Sequence, residues 1–216
     1  MYKAVIFDLD GTLLNTIDDL AAAGNYTLAQ MGLPLHTVRE FTGFVGNGIP
    51  KLLRRMLPPD ADEAVFQRAA ALFNDYYSLH KEDSTAPYPG IQQLLTHLQA
   101  AGVRMAVLSN KAHHLTVPII RHYFGDAFDA VQGLADGIAA KPDPSGANRL
   151  LEALALPREA VLYVGDSDID MRTAAAAGLT GCGVLWGFRS RETLLAGGAV
   201  LLAEDTTALE RLILCP

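Results

Sequence analysis

The sequence predicts an α/β fold, a doubly wound parallel sheet of Rossmann-like type with a small all-helical segment inserted after its first strand. Three observations carry this expectation. Ala4-Val5-Ile6-Phe7 is an unbroken apolar run that ends in an acid, the pattern of a strand buried on both faces. From Gly90 onward, short apolar runs alternate with helix-period stretches, as successive β–α units of a parallel sheet do. Between the two, from Asn15 to Pro87, only helical stretches and turn signals can be read.

The first strand leads through Asp8-Leu9-Asp10-Gly11-Thr12 into a helix over about 18–31. Asp18 and Asp19 lie in its first turn, and Gly32-Leu33-Pro34 stops it. Helices follow over 36–41, 49–56 and 64–80, separated by Gly43, Gly46, Gly48 and Pro58-Pro59. Tyr88-Pro89-Gly90 returns the chain to the sheet. A helix over 91–101 ends at Gly102, and a strand over 105–108 follows. The helix over 112–123 is expected to kink or shorten at Pro118. A strand over 128–131, a helix over 144–154, a strand over 161–164, a helix over 171–177 and a strand over 183–186 continue the alternation. A strand over 200–202 and a helix over 207–214 close it. The expected domains are an α/β core of 1–14 with 88–216, and a helical cap or lid of 15–87.

Half of the 216 residues are hydrophobic, enough for one large domain or a core with a modest second one. A net charge of −7 without any basic run argues against nucleic acid as a partner. Cys182 and Cys215 stand far apart without metal-ligand spacing, which points to a reducing, cytoplasmic setting. No apolar run is long enough to span a bilayer, so no membrane partner is expected, and Met1 leads into a strand rather than a secretion signal. A monomer or homodimer acting on a small molecule is the expectation.

In doubly wound sheets ligands bind beyond the carboxyl ends of the strands. Asp8 and Asp10 follow the first strand. In extended backbone they share one side and repel, which a cation or a shared proton relieves. Gly11 permits a sharp turn that leaves amides for an anion. Ser109-Asn110-Lys111 follows the strand over 105–108, and Gly165-Asp166-Ser167-Asp168-Ile169-Asp170 follows that over 161–164. Lys141-Pro142-Asp143-Pro144 precedes the intervening helix. Taken singly these are ordinary: Ser109 as the cap of the next helix, Lys141 as a solvated loop lysine, Asp143 as the brace of a turn. Together they place carboxylates that suit a hard divalent cation beside a hydroxyl, an ammonium and amides that suit a tetrahedral oxyanion.

In order and across most of the chain, these motifs resemble those of the haloacid dehalogenase-like hydrolase superfamily: Asp8-Leu9-Asp10-Gly11-Thr12, Ser109 after an apolar strand, Lys141, and Gly165-Asp166-Ser167 with Asp170. Within it, Val45-Gly46-Asn47-Gly48 and Lys141-Pro142-Asp143-Pro144 are most similar to phosphoglycolate phosphatases. The resemblance implies Mg²⁺-dependent hydrolysis of a small phosphorylated metabolite, 2-phosphoglycolate among the candidates. It implies Asp8 as the nucleophile that becomes an aspartyl-phosphate, and Asp10 as general acid and then general base. Ser109 and Lys141 would hold the phosphoryl oxygens, with Asn110, Gly11 and Thr12 beside them. Mg²⁺ would lie between Asp8, the backbone carbonyl of Asp10, and Asp166, with Asp170 in support. Without the ion, each unit-charge pair between phosphate and Asp8 would cost about 4 kcal/mol near 4 Å at an effective dielectric near 20. Gly46 and Asn47 are the expected substrate contacts from the cap.

Two other readings compete. A sugar-phosphate mutase of the same scaffold is disfavoured because Leu20 stands around the place where those enzymes keep a histidine. A phospho-accepting receiver-type module is disfavoured by the helical insert and the D-x-D-G-T order. Asn15 occupies a place where many relatives have an acid, so no role is expected of it.

Overall fold

The computed structural model describes residues 1–215. Internal contacts divide the chain into two compact units: Met1–Leu14 continued from Pro87 onward, and Asn15–Ala86. The first strand, β1 (Ala4–Phe7), is fully buried along its length. The chain leaves the first unit through β2 (Leu14–Asn15) and returns through β3 (Ala86–Pro87), which pair as a two-stranded ribbon.

The second unit is helical: α1 (Ile17–Gln30), α2 (Val38–Phe44), α3 (Ile49–Met56) and α4 (Glu63–His80). Its local signals are strong. Thr37 and Glu40 form a reciprocal capping box on α2, and Asp62 caps α4 through the Val65 amide. Gly24 lets α1 and α2 meet, since a Cβ there would lie 2.3 Å from the Phe41 ring. Asp19 ties the end of the unit to its start, accepting from the amides of Ser84 and Thr85, both at 2.8 Å.

The first unit holds a six-stranded, all-parallel sheet in the order β5-β4-β1-β6-β7-β8. After α5 (Ile91–Ala100) come β4 (Arg104–Ala112), α6 (His113–Phe124), β5 (Ala130–Leu134), α7 (Ser145–Leu154) and β6 (Val161–Gly165). Then follow α8 (Asp168–Ala176), β7 (Thr180–Val184), α9 (Arg191–Ala196), β8 (Leu201–Ala203) and α10 (Thr206–Leu214). The period-2 rule is visible on β1. Val5 and Phe7 pack with Leu94 and Leu98 of α5, Ile119 of α6 and Leu209 of α10. Ala4 and Ile6 face the other cluster, with Leu150 and Leu154 of α7 and Ala174 of α8. Helices thus cover both faces, and the core lies between them and the sheet.

Several expected boundaries move. β4 runs on to Ala112 because an irregularity between Leu108 and Ala112 lets its ladder with β5 resume at Leu134. β5 begins at Ala130, while Phe128 stands before it and packs edge-on against Phe7 at 6.3 Å. β7 starts at Thr180, and Trp186 leaves the strand to donate from Nε1 to the Thr12 carbonyl at 3.0 Å. α8 starts at Asp168 because Ser167 and Asp170 form a capping box. Pro118 does not shorten the expected span: it lies exposed inside α6, which continues to Phe124. The short α9, capped by Ser190, was not expected from the sequence.

Candidate active site

The strand order brings the motifs together. β1 lies between β4 and β6, with Phe7 in register with Val107 and Val164. One residue further on, Asp8 donates its amide to the Val164 carbonyl at 2.8 Å. The backbone then folds rather than continuing as a strand: the Leu9 carbonyl accepts from the amides of Thr12, Leu13 and Leu14. Extended geometry therefore ends before Asp10, and the two acids are held by different partners.

Lys141 is the hub of the first group. Its Nζ donates to Asp8 Oδ1 and Asp170 Oδ1, both at 2.7 Å, and to the Leu108 carbonyl at 3.2 Å. Tyr163 Oη also donates to Asp170 Oδ1, at 3.3 Å. Asp170 Oδ2 accepts from the Ser167 amide at 3.1 Å and its hydroxyl at 2.6 Å. Asp166 Oδ2 accepts from the Phe188 amide at 2.7 Å. Carboxylate oxygens of Asp8, Asp166 and Asp170 all lie within 4.8 Å of one another, and all three residues are buried.

Burial works against the Lys141 charge, but Asp170 and Asp8 outweigh it and hold the ammonium well above the usual lysine value. Burial, and next the charge of Asp170, push the Asp8 carboxyl well above the usual carboxylate range. The same two causes push Asp166 up to about 7, against the Phe188 amide and the Arg189 guanidinium. Three dry carboxylates around one ammonium leave an excess of negative charge that a bound cation relieves. The donor set is all oxygen, which suits a hard divalent ion. The backbone also closes tightly here: a Cβ on Gly11 would lie 2.3 Å from Asp166 Oδ2, and one on Gly187 would lie 2.2 Å from Asp166 Cβ. The residues present fit Mg²⁺.

The second group centres on Asp10. Lys111 Nζ donates to Asp10 Oδ1 at 2.7 Å, with the lysine side chain 5% and the aspartate 16% exposed. Sequence reasoning named Lys111 only as the end of a strand motif. Its signal was its place directly after Ser109-Asn110. Gly187 and the Phe188 amide were also missed, because a loop after a strand displaced from its expected position carries no readable motif.

The remaining expected residues fall as follows. Ser109 Oγ accepts from the Lys111 amide at 3.1 Å. It does not cap α6, whose first flanking residue is Ala112, because the irregular end of β4 separates Ser109 from the helix. Asn110 spans the Lys141 peptide groups: its Oδ1 accepts from the Lys141 amide at 2.8 Å and its Nδ2 donates to the Lys141 carbonyl at 3.3 Å. Thr12 is fully buried, and its Oγ1 has no hydrogen-bond partner among the described residues. Asp143 braces its turn by accepting from the Ser145 amide at 2.9 Å. Gly46 and Asn47 belong to the helical unit, where Gly46 has φ +111° and Asn47 Oδ1 accepts from Arg55 Nη2 at 2.7 Å.

A parallel α/β sheet with a buried aspartate–lysine pair and a carboxylate cluster at its strand ends suits the binding of phosphoryl groups. The profile of the haloacid dehalogenase-like hydrolase family matches residues 5–184, and the chain belongs to that family. It is a phosphoric monoester hydrolase. A phosphoglycolate phosphatase of Cereibacter sphaeroides (strain ATCC 17025 / ATH 2.4.3) is 40% identical over 180 residues, covering 81% of each chain. One from Pseudomonas putida is 33% identical, over 96% of this chain and 78% of its own. A solved structure from Lactobacillus delbrueckii subsp. bulgaricus superposes with a TM-score of 0.95 at 32% identity, covering 100% of this chain and 99% of its own. CbbY from Rhodobacter sphaeroides, solved in complex with xylulose-(1,5)bisphosphate, superposes at 0.76 with 25% identity over 95% of both chains.

Proposed function

We propose that this phosphatase is Mg²⁺-dependent and hydrolyses a small organic phosphomonoester, 2-phosphoglycolate first among them, through an aspartyl-phosphate on Asp8. The observation that carries the proposal is the buried contact of Lys141 with Asp8 and Asp170 beside Asp166. The naming of similar chains as phosphoglycolate phosphatases supports the substrate. The CbbY complex supports a phosphorylated small molecule more generally.

In the first half-reaction an Asp8 carboxylate oxygen attacks phosphorus. The ester P–O bond breaks, and Asp10 gives its proton to the departing oxygen. Lys141 and the Ser109 hydroxyl hold phosphoryl oxygens, with the amide of Asn110 as a further donor; the Gly11 and Thr12 amides, expected beside them, are instead engaged by the Leu14 and Leu9 carbonyls at 2.8 and 3.3 Å and shape the turn. In the second half, Asp10 takes a proton from water as the water oxygen attacks phosphorus. The P–O bond to Asp8 then breaks, releasing inorganic phosphate and restoring the carboxylate. Asp8, Asp166 and the Asp10 carbonyl would hold Mg²⁺, with Asp170 orienting Lys141 behind them. When bound, the ion neutralises phosphoryl charge that otherwise faces Asp8. The helical unit is read as the cap that supplies specificity, Gly46 and Asn47 among its contacts. The same reading puts the enzyme in the cytoplasm as a monomer or homodimer, in keeping with Cys182 and Cys215 both being free thiols.

The test is phosphate release from p-nitrophenyl phosphate with Mg²⁺ and with EDTA, followed by a panel of small phosphates ranked by kcat/KM. A first rank for 2-phosphoglycolate, with activity lost in EDTA, is the expected result. No release with metal present, alongside interconversion of sugar phosphates, would instead establish a mutase. Leu20, buried in α1, offers no proton for that chemistry.

A further inference from the structure

Lys111 is gripped at three points. The end of β4 bulges: Leu108 is in register with Gln132 and Ala112 with Leu134, so the segment containing Ser109, Asn110 and Lys111 lies across a shift in the ladder. Such irregularities re-aim side chains. Here the Lys111 amide donates to Ser109 Oγ at 3.1 Å, and the Lys111 carbonyl accepts from Thr116 Oγ1 at 3.1 Å. Gly133 approaches the same carbonyl so closely that a Cβ there would lie 2.6 Å from it. The side chain then reaches a residue far away in sequence, Asp10 Oδ1, at 2.7 Å. A lysine fixed at both backbone groups, with a 5% exposed side chain, is not a solvated strand-end residue.

The partner's chemistry gives the contact its meaning. An ammonium donates and never accepts, so the carboxylate oxygen facing it must accept. The contact at Oδ1 therefore leaves Oδ2 as the oxygen better placed to hand over a proton. A group that passes a proton to a leaving oxygen and later takes one from water works through one oxygen aimed at the reacting centre. We infer that Lys111 is a positioning residue for Asp10, holding Oδ1 so that the proton is carried and delivered at Oδ2. This rests on the reading of Asp10 as general acid. In the step concerned, the ester P–O bond breaks, its electron pair goes to the leaving oxygen, and the Oδ2 proton moves to that oxygen.

The inference makes a specific demand. An alkyl phosphate leaves as a strongly basic alkoxide and needs the proton, whereas p-nitrophenyl phosphate leaves as a weakly basic phenolate and does not. kcat/KM reports the steps through departure of the leaving group, whereas kcat also contains the dephosphorylation common to both substrates. The experiment measures kcat/KM of the Mg²⁺-loaded enzyme, K111M, K111Q and D10N on the best alkyl phosphate of the panel and on p-nitrophenyl phosphate. Unfolding midpoints are taken for every variant. For both Lys111 variants, the loss on the alkyl ester is expected to exceed the loss on the aryl ester by about tenfold or more, up to the roughly 10²–10⁴ that a positioned acid contributes in full. D10N is expected to show the same bias more strongly.

Equal losses on the two esters for K111M and K111Q, with D10N biased, would overturn the inference while leaving Asp10 as the acid. An unbiased D10N would remove the acid reading and the inference with it. K111Q, which keeps a polar side chain, supplies the measurement if K111M does not fold.

Discussion

Asp8 and Asp10 stand on either side of Leu9, and each has a lysine ammonium at 2.7 Å, yet the two pairs are electrically unlike. Lys141 is shared between Asp8 and Asp170, with Asp166 in the same cluster. That group carries more negative than positive charge in a dry interior, and burial with the charge of Asp170 pushes the Asp8 and Asp166 carboxyls upward. Lys111 meets Asp10 at 2.7 Å, and its partner keeps some contact with solvent. An unbalanced cluster calls for a cation, whereas the Lys111 contact fixes an orientation. The first arrangement suits metal and phosphate binding, the second the handling of a proton.

The largest expected effect falls on the unbalanced side. Asp8→Asn should lower kcat by more than about four orders of magnitude, as removal of a nucleophile does, while far-UV circular dichroism stays native. Loss of the folded spectrum would mark Asp8 as structural instead. Next come the lysines. Lys141→Met leaves Asp8 and Asp170 without the ammonium they share at 2.7 Å, a change that costs about 3–5 kcal/mol for a broken buried pair. Mg²⁺ should recover part of that loss in urea unfolding. Lys111→Met strands one partly exposed carboxylate and should cost less, with little recovery by Mg²⁺. Equal costs and equal recovery would erase the distinction between the pairs.

A pH series sharpens it further. The Asp166 carboxyl holds its proton in the metal-free fold up to about 7, whereas in the unfolded chain it loses it near about 4. Between those values the folded state binds more protons than the unfolded one, so metal-free stability falls as pH rises through that window. The raised Asp8 carboxyl acts in the same direction. Each unit of displacement is worth about 1.4 kcal/mol. A divalent ion replaces the proton, so the rise in Tm between EDTA and saturating Mg²⁺ should be larger at about pH 8 than at about pH 5.5. An equal rise at both pH values would show that the carboxylate cluster does not hold the ion.

The same contrast explains what could be read from the sequence. β1 and its acid were plain because Ala4 to Phe7 are apolar on both faces and the apolar run stops at Asp8. Lys141 was legible only through its motif, since nothing local distinguishes a buried lysine from a solvated one. The Lys111 contact was hidden by geometry. The apolar run of β4 stops at Leu108, and the bulge that holds Lys111 packs against Gly133 and Thr116 from neighbouring elements. α9 was hidden by length, six residues giving too few turns for a period to stand out. In the helical unit, Asn47 was read as a substrate contact from its glycine-rich setting. Its bond to Arg55 joins a loop residue to α3, which no spacing rule announces.

The smallest predicted effect tests how far the grip on Lys111 extends beyond its ammonium. Thr116 Oγ1 is a buried hydroxyl that donates to the Lys111 and Ala112 carbonyls at 3.1 and 3.0 Å. Thr116→Val keeps the branched shape and removes that donor. A neutral hydrogen bond lost at a buried site costs about 0.5–1.5 kcal/mol, so a fall in stability of about 1 kcal/mol is expected in urea unfolding. The ammonium contact to Asp10 is untouched, and Ser109 and Gly133 still confine the backbone. The ratio of alkyl to aryl kcat/KM should therefore fall by less than about threefold, under 1 kcal/mol of transition-state stabilisation. A fall as large as that of Lys111→Met would mean that the bulge itself, rather than the charge at Asp10 Oδ1, sets the geometry of the acid.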